Sequence, residues 1–148
     1  MGPDGPQREE VHVSSTENSV HSGVGNGTAV NVVVLAGRLS GDPVVTQLKS
    51  GDELRRYEVT IPPGDTPGGP VRAETVPVVW FSPRRPPSLS EGSRVVVVGR
   101  VRRRYFRTVG GTASRTEVVA ERVWRDSPDR RGRAQALSTA RLKAGLGG

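Results

Sequence analysis

The run VNVVVLAGRLSGDPVV, residues 30–45, is dense in valine, which is typical of a buried β-strand. Gly37 interrupts the run, and Gly41-Asp42-Pro43 closes it before a second short run begins. A glycine inside a strand marks a bulge, a sharp bend or a close approach of another backbone. The pattern therefore predicts a first strand that curls at Gly37 and pairs with two different neighbours.

Four further strand-like runs follow along the chain. They are LRRYEVTI, VRAETVPVVWF, RVVVVGRVRRRYF and SRTEVVAERVW, at residues 54–61, 71–81, 94–106 and 114–124. Turn-forming residues are dense in PPGDTPGGP, residues 62–70, and predict a loop without regular structure. The prolines of residues 82–93 leave room for one helical turn at most.

Five strands with glycines inside two of them favour a small closed barrel. Closure requires strands to bend sharply, which Gly37 in the first run and Gly99 in the fourth would allow. The competing β-sandwich usually needs about seven strands, and the chain offers fewer. We therefore predict an all-β, five-stranded OB-fold barrel.

Composition divides the chain into three parts. Residues 1–29 lack a hydrophobic period and are predicted to be a disordered N-terminal extension. Residues 30–125 form the predicted barrel, and a chain of 148 residues has room for about one such domain. Residues 126–148 contain a helix-prone piece, AQALSTARLKAGL, but we expect a flexible basic C-terminal tail.

The composition also excludes several kinds of site. The chain has no cysteine, which excludes disulfides and cysteine-ligated metals. Its two histidines, His12 and His21, lie in the predicted disordered extension, so we predict no enzymatic activity, no metal site and no cofactor. Neither a secretory signal nor an apolar run near about 18 residues is present. We therefore expect a cytoplasmic protein without membrane contact.

The positive charge is concentrated in one segment. The net charge is +7, and residues 94–125 carry nine arginines against two glutamates, whereas residues 30–93 are neutral. A local positive field of this kind attracts polyanions such as nucleic acids. Because 20 of the 22 basic residues are arginine, which a GC-rich coding sequence would also produce, charge alone leaves the partner open.

Side chains alternate across a strand, and this separates two sets in the fourth run. One side carries three arginines and an aromatic ring: Arg100, Arg102, Arg104 and Phe106. Guanidinium groups pair with phosphates, and a phenylalanine ring offers a platform for a base. The pattern predicts a nucleic-acid-binding face, with a solvated outer barrel face as the alternative.

The same alternation places Trp80 and two valines of the third run on the side opposite to Phe81. The larger apolar set is predicted to be core, so we expect Trp80 inside the barrel and Phe81 on its surface. Tyr57 of the second run is expected to pack inside. Trp124 closes the last run, and we interpret it as a packing residue at the barrel end.

Five of these segments resemble, in order and near spacing, the bacterial single-stranded DNA-binding proteins. The segments are VNVVVLAGRLSGDPVV, SGDELRRYEVTI, VPVVWF, SLSEGSRVVVVGRVRRRYF and SRTEVVAERV, over about residues 30–124. The resemblance implies an OB-fold that binds single-stranded DNA without sequence preference, protects it in replication, repair or recombination at the nucleoid, and commonly forms a homotetramer. The family's DNA contacts fall on Arg102, Arg104, Phe106 and Phe81, and near Arg38 and Arg56.

The chain departs from the family in several places. The family often has tryptophans where this chain has the loop at residues 62–70 and Thr75, so two stacking platforms are absent. Val76 stands where a histidine tied to tetramer assembly is usual, which leaves a dimer as the alternative. The end, ARLKAGLGG, is not the family's acidic, phenylalanine-ending tip. We therefore expect a divergent or accessory member that does not recruit replication proteins through such a tip.

Two other functions stay open. An RNA-binding OB module would use the same arginines and rings, because neither contact distinguishes ribose from deoxyribose without a 2′-OH contact. A protein-interaction OB domain that has lost nucleic-acid binding would account for the absent tryptophans.

Overall fold

A computed structural model of the protein describes residues 29–145. Within them the chain forms eight strands and one helix: β1 (Val33–Leu39), β2 (Val44–Gln47), β3 (Glu53–Ile61), β4 (Gly64–Thr66), β5 (Gly69–Val71), β6 (Glu74–Phe81), β7 (Arg94–Thr108), β8 (Gly111–Arg125) and α1 (Pro128–Gly145). Residues 1–28 of the N-terminal extension, which include its two histidines, lie outside this described range, so its predicted disorder stays a prediction.

Five strands follow one another around a closed barrel in the order β1, β7, β8, β6 and β3. β1 closes it, because it pairs antiparallel with β7 along most of its length and with β3 at Arg38 and Leu39. β6 and β8 pair in parallel, and the other neighbours are antiparallel. β2 continues the first strand past the Gly41-Asp42-Pro43 turn and pairs with β3. The predicted five-stranded OB-fold barrel is confirmed.

Gly37 lies where β1 passes from β7 to β3. A Cβ atom at this position would stand 2.4 Å from the backbone oxygen of Thr60 on β3. Only a residue without a Cβ atom allows the two backbones to approach this closely. The glycine inside the valine run thus lets the first strand pair with two neighbours, as the sequence predicts.

Alternate residues of the five strands fill the barrel interior. Trp80 and Tyr57 supply its rings, whose centroids lie 6.5 Å apart. The other buried members of this core are Leu39, Val59, Val78, Val95, Val97, Val118, Ala120 and Val123. Phe81, one residue beyond Trp80, is 41% exposed. The sides predicted for Trp80, Tyr57 and Phe81 are therefore confirmed.

The flexible C-terminal tail predicted for residues 126–148 requires a correction, because α1 occupies most of that segment. Ser127 caps the helix: its hydroxyl accepts a hydrogen bond from the backbone N–H of Arg130 at 3.1 Å. Pro128 takes the first helical position, where its missing N–H costs no hydrogen bond. No helix in the described part of the chain is long and apolar enough to cross a membrane.

α1 packs on the outside of the barrel and gives β7 a second buried side. Ala134, which is 2% exposed, and Leu137 contact the outer side chains of Val96 and Val98. Trp124 belongs to the same cluster, so it packs beneath the helix and not at the barrel end. Burial of these apolar groups stabilises α1 on the barrel, although the charge and glycine content of residues 126–148 favoured the prediction of a flexible tail.

A second correction concerns the loop predicted to lack regular structure. β4 and β5 form a two-stranded hairpin separate from the barrel sheet. The Thr66 hydroxyl holds its turn by donating to the Gly69 carbonyl at 2.8 Å and accepting from the Gly68 N–H at 3.2 Å. The turn-forming residues thus connect two short strands, as they do in hairpins generally.

Candidate nucleic-acid interface

The outer surfaces of β7, β8, β6 and β3 form one continuous face. Strand pairing aligns four residues in a single row across them: Arg100, Val119, Val79 and Arg56. Residues two positions along each strand extend the same face. We call this surface the Arg/Phe face and define it by Arg56, Phe81, Arg100, Arg102, Arg104 and Phe106, with Arg115 and Glu117 of β8.

A buried carboxylate lies at the centre of the Arg/Phe face. Glu117 is 2% exposed, and its Oε2 atom accepts a hydrogen bond from Nε of Arg102 at 3.2 Å. Nε of Arg104 lies 3.4 Å from the same oxygen. A buried charge is tolerated only with partners of this kind. One anion therefore fixes the positions of two arginines.

Each of these two arginines also covers a phenylalanine ring. The guanidinium carbon of Arg102 lies 5.6 Å from the ring centroid of Phe81, and that of Arg104 lies 5.1 Å from the centroid of Phe106. Both distances are within the range of cation–π attraction. Phe81 comes from β6 and Phe106 from the far end of β7, so contacts through Glu117 link side chains of three strands.

Arg56 and Arg115 complete the face on the β3 side. Nη2 of Arg115 lies 3.0 Å from Oε2 of Glu58, and this pair lines a shallow depression together with Arg104 and Glu117. Among residues 29–145, Arg56 and Arg100 have no carboxylate partner. Their charges are therefore available to an external anion.

Arg38 does not join the Arg/Phe face. It lies on β1, level with Thr60 of β3 and Arg94 of β7. There it lines a different groove, which also includes Asp126 and Arg131 near the start of α1. The structure therefore brings together six of the seven sequence-predicted site residues and leaves Arg38 elsewhere on the surface.

Sequence reasoning missed Glu117 and Arg115. Side chains alternate along β8, and Val118 is buried inside the barrel, so Glu117 and Arg115 must lie on the outer side. Alternation alone was therefore enough to recognise them as outward residues. Their partners depend on the register of the β7–β8 hairpin, which pairs Glu117 with Arg102 and Arg115 with Arg104. That register follows from the turn at residues 109–110 and was not deduced from the sequence.

Comparison with protein families identifies the family to which this chain is similar. Residues 30–126 match the model of the single-strand binding protein family, over well more than half of the chain. The matched segment contains all barrel strands and the whole Arg/Phe face, whereas α1 lies beyond it. No curated protein sequence matches the chain. From the family match, supported by the OB-fold barrel, we conclude that the chain belongs to the single-strand binding protein family.

Proposed function

We propose that this protein binds single-stranded DNA without sequence preference through the Arg/Phe face, and that it protects such DNA in the cytoplasm during replication, repair or recombination. Family membership supports single-stranded DNA binding in general. The observation that carries the finer proposal is the pair of Arg–Phe contacts joined by Glu117. In these contacts, aromatic rings that can stack on bases lie beside guanidinium groups that can bind phosphates.

This chemistry suits single strands of any sequence. Every base has a π-face that can stack on an aromatic ring, and stacking of this kind tolerates any base. Contacts from arginine to phosphate carry no sequence information. In a duplex the bases are stacked on one another and cannot reach the rings, so the face should discriminate against duplex DNA.

The site residues have two roles in this proposal. Phe81 and Phe106 stack on bases, and the open surface of Phe81 is accessible to a base from solvent. Four arginines bind phosphates: Arg56, Arg100, Arg102 and Arg104. Glu117 holds Arg102 and Arg104 in place before DNA arrives, which reduces the entropy lost when long side chains are fixed on binding.

Fluorescence anisotropy with oligo(dT), a matched duplex and an RNA competitor tests the proposal at two salt concentrations. We expect tighter binding to oligo(dT) than to the duplex, and the RNA competitor determines whether the Arg/Phe face distinguishes deoxyribose from ribose. The logarithm of affinity should fall with the logarithm of salt concentration by about 0.7 per phosphate contact on a single strand. Equal affinity for single-stranded and duplex DNA would contradict the proposal. A preference for RNA would identify RNA, and not DNA, as the ligand of the Arg/Phe face.

We also propose a homo-oligomer, a tetramer in preference to a dimer. Val34 on β1 and the neighbours Val44 and Val45 on β2 are 47%, 56% and 49% exposed. β2 also pairs on one side only among the described residues, and an open strand edge with exposed apolar side chains can pair with another chain. Light scattering at micromolar concentration should give four times the chain mass; the mass of one chain would refute self-association.

A further inference from the structure

A second basic surface begins where the Arg/Phe face reaches Phe81. There a groove of about 970 Å³ separates the loop that follows β6 from the junction of β8 and α1. We call it the helix groove. Five arginines line it: Arg84, Arg85, Arg122, Arg125 and Arg130. Phe81 lines it as well, so the two surfaces are continuous.

Neighbouring carboxylates do not cancel the charge of the helix groove. Glu121 is the one acidic residue in the described lining, and Nε of Arg141 on α1 donates to its Oε1 at 3.0 Å. The hydrogen bond from Arg141 lowers the pKa of Glu121, so this carboxylate stays ionised and paired at neutral pH. Arg84, Arg85 and Arg130 have no ion-pair partner in the described part of the chain.

The arginines of the groove are held in place to different degrees. Arg122 donates to the backbone carbonyl of Glu121 at 2.9 Å, and Arg125 donates to the backbone carbonyl of Ser88. The two loop arginines lie between prolines, which restrict the backbone on both sides of them. Pre-positioned guanidinium groups lose less entropy when they bind an anion.

We propose that the helix groove binds the phosphate backbone of a single strand of DNA that continues past Phe81, so that α1 and the loop after β6 add a second segment to the binding path. The proposal rests on the proposed function of the Arg/Phe face. Arginine is well suited to phosphate because its fork of N–H donors matches the phosphate oxygens. Continuity at Phe81 favours DNA over a separate acidic protein segment as the occupant.

The groove should therefore affect long DNA strands and spare short ones. The test variant is Arg84→Ser with Arg85→Ser, both in an exposed loop. The control is Lys49→Ser with Lys143→Ser, which removes the same charge from the β2–β3 turn and from the far end of α1. Each is titrated with oligo(dT) of about 8 and about 30 nucleotides, because one OB-fold occupies about 4–16 nucleotides.

We expect the groove variant to bind the short oligonucleotide like the wild type. It should bind the long oligonucleotide about tenfold or more weaker at about 0.1 M salt, with a salt slope reduced by about 1.4 for two lost contacts. The control should lose much less affinity for the long strand. Arg130→Ser provides an independent reading from α1 and should also weaken only the long complex.

The outcomes separate this proposal from the one on which it rests. If the wild type binds neither oligonucleotide, the proposed function itself fails. If the wild type binds both, and the groove variant and the control lose the same affinity at each length, the helix groove is not part of the path. Poly-glutamate that binds the wild type but not the groove variant, with unchanged DNA affinity, would instead identify an acidic protein segment as the occupant.

Discussion

The two halves of β7 differ on the outer side of the same strand. Over residues 95–98 the outer side chains are Val96 and Val98, which are buried beneath α1. From Gly99 onward the outer positions are taken by Arg100 and its alternate successors, which form the Arg/Phe face. The inner side chains Val95 and Val97 are buried in the barrel. One strand therefore stabilises the fold in its first half and presents charge in its second.

The division falls at a β-bulge. β7 pairs Val98 with Arg122 and Gly99 with Ala120, so Glu121 is an extra residue in β8. Such a bulge increases the local twist and bends the strand pair. The extra residue is in β8, so the alternation of inner and outer side chains along β7 continues unchanged past the bulge. The arginines of β7 beyond the bulge therefore stay on the outer side, where the strand pair bends away from α1. The bulge thus lies between the half of β7 that α1 covers and the half that presents arginines.

The largest effect is expected from changing the residue at this division. A Cβ atom on Gly99 would lie 2.2 Å from the backbone oxygen of Val119 and 3.0 Å from Cα of Ala120. Because backbone atoms cannot move aside like a side-chain end, Gly99→Val should destabilise the protein by about 3 kcal/mol or more in urea unfolding. Gly110→Ala is the control, since a Cβ there meets no atom within 4 Å. Equal stability of the two variants would show that the bulge does not require glycine.

The next effect concerns the helix-covered half alone. Ala134→Glu forces a larger, charged side chain against Val96 and Val98, which should cost about 2–3 kcal/mol. Ala136→Glu adds the same charge on the exposed side of α1 and should cost little. Hydrogen exchange should show faster opening of α1 in the first variant only. Short oligo(dT) should still bind both variants; a parallel loss of that affinity would mean that the two halves are not separable.

The exposed half is tested by removing one ring. Phe106→Ala should weaken single-strand binding by about 1–3 kcal/mol, the usual loss for one stacked base, with little change in thermal midpoint. Tyr105→Ala, a change on the other side of the strand, should weaken binding less. If Phe106→Ala unfolds the barrel while the folded fraction retains its affinity, Phe106 is a core residue and the Arg/Phe face is wrongly assigned.

The smallest effect is at the ion pair between Asp126, which precedes α1, and Arg131 in the first turn of that helix. Two hydrogen bonds of 2.8 Å from Arg131 lower the pKa of Asp126 below its ordinary value of 3.8. A carboxyl group whose pKa is lowered by folding stabilises the protein at pH values above its ordinary pKa. This stabilisation is lost as the pH falls through the lowered pKa. Asp126→Asn should therefore cost about 0.5 kcal/mol at pH 7. The difference in thermal midpoint should shrink in acid; a difference that persists there would rule out a charge effect.

The barrel and the Arg/Phe face were predictable because both depend on the period of two along a strand. Trp80 and Phe81 are adjacent residues on opposite sides, and no tertiary information was needed to separate them. Glu117 was not predictable as the partner of Arg102, since that contact depends on hairpin register. Arg38 and Arg56 were both placed by family resemblance and not by alternation; strand pairing brings Arg56 to the Arg/Phe face and leaves Arg38 apart from the others.

The helix was missed for a physical reason that the sequence nevertheless contained. α1 has a narrow apolar side among many charges, so its hydrophobic period is weak and composition favoured a tail. Two signals pointed the other way. Ser127-Pro128-Asp129 is a favourable helix start, and four successive valines at residues 95–98 predict a strand buried on both sides. A single barrel buries only one of those sides, so a covering element was required.

The closure of the barrel by β1 also sets the order in which the chain can fold. Val33 pairs with Gly99, so about 66 residues must be synthesised before the first strand meets its main partner. At about 5–20 residues per second this takes about 3–13 s. The β3–β6 and β7–β8 pairs need shorter loops to close and can form before the barrel does. Arg38 and Leu39 can pair with β3 earlier, but the valine-rich part of β1 before them waits longest for its partner strand during translation.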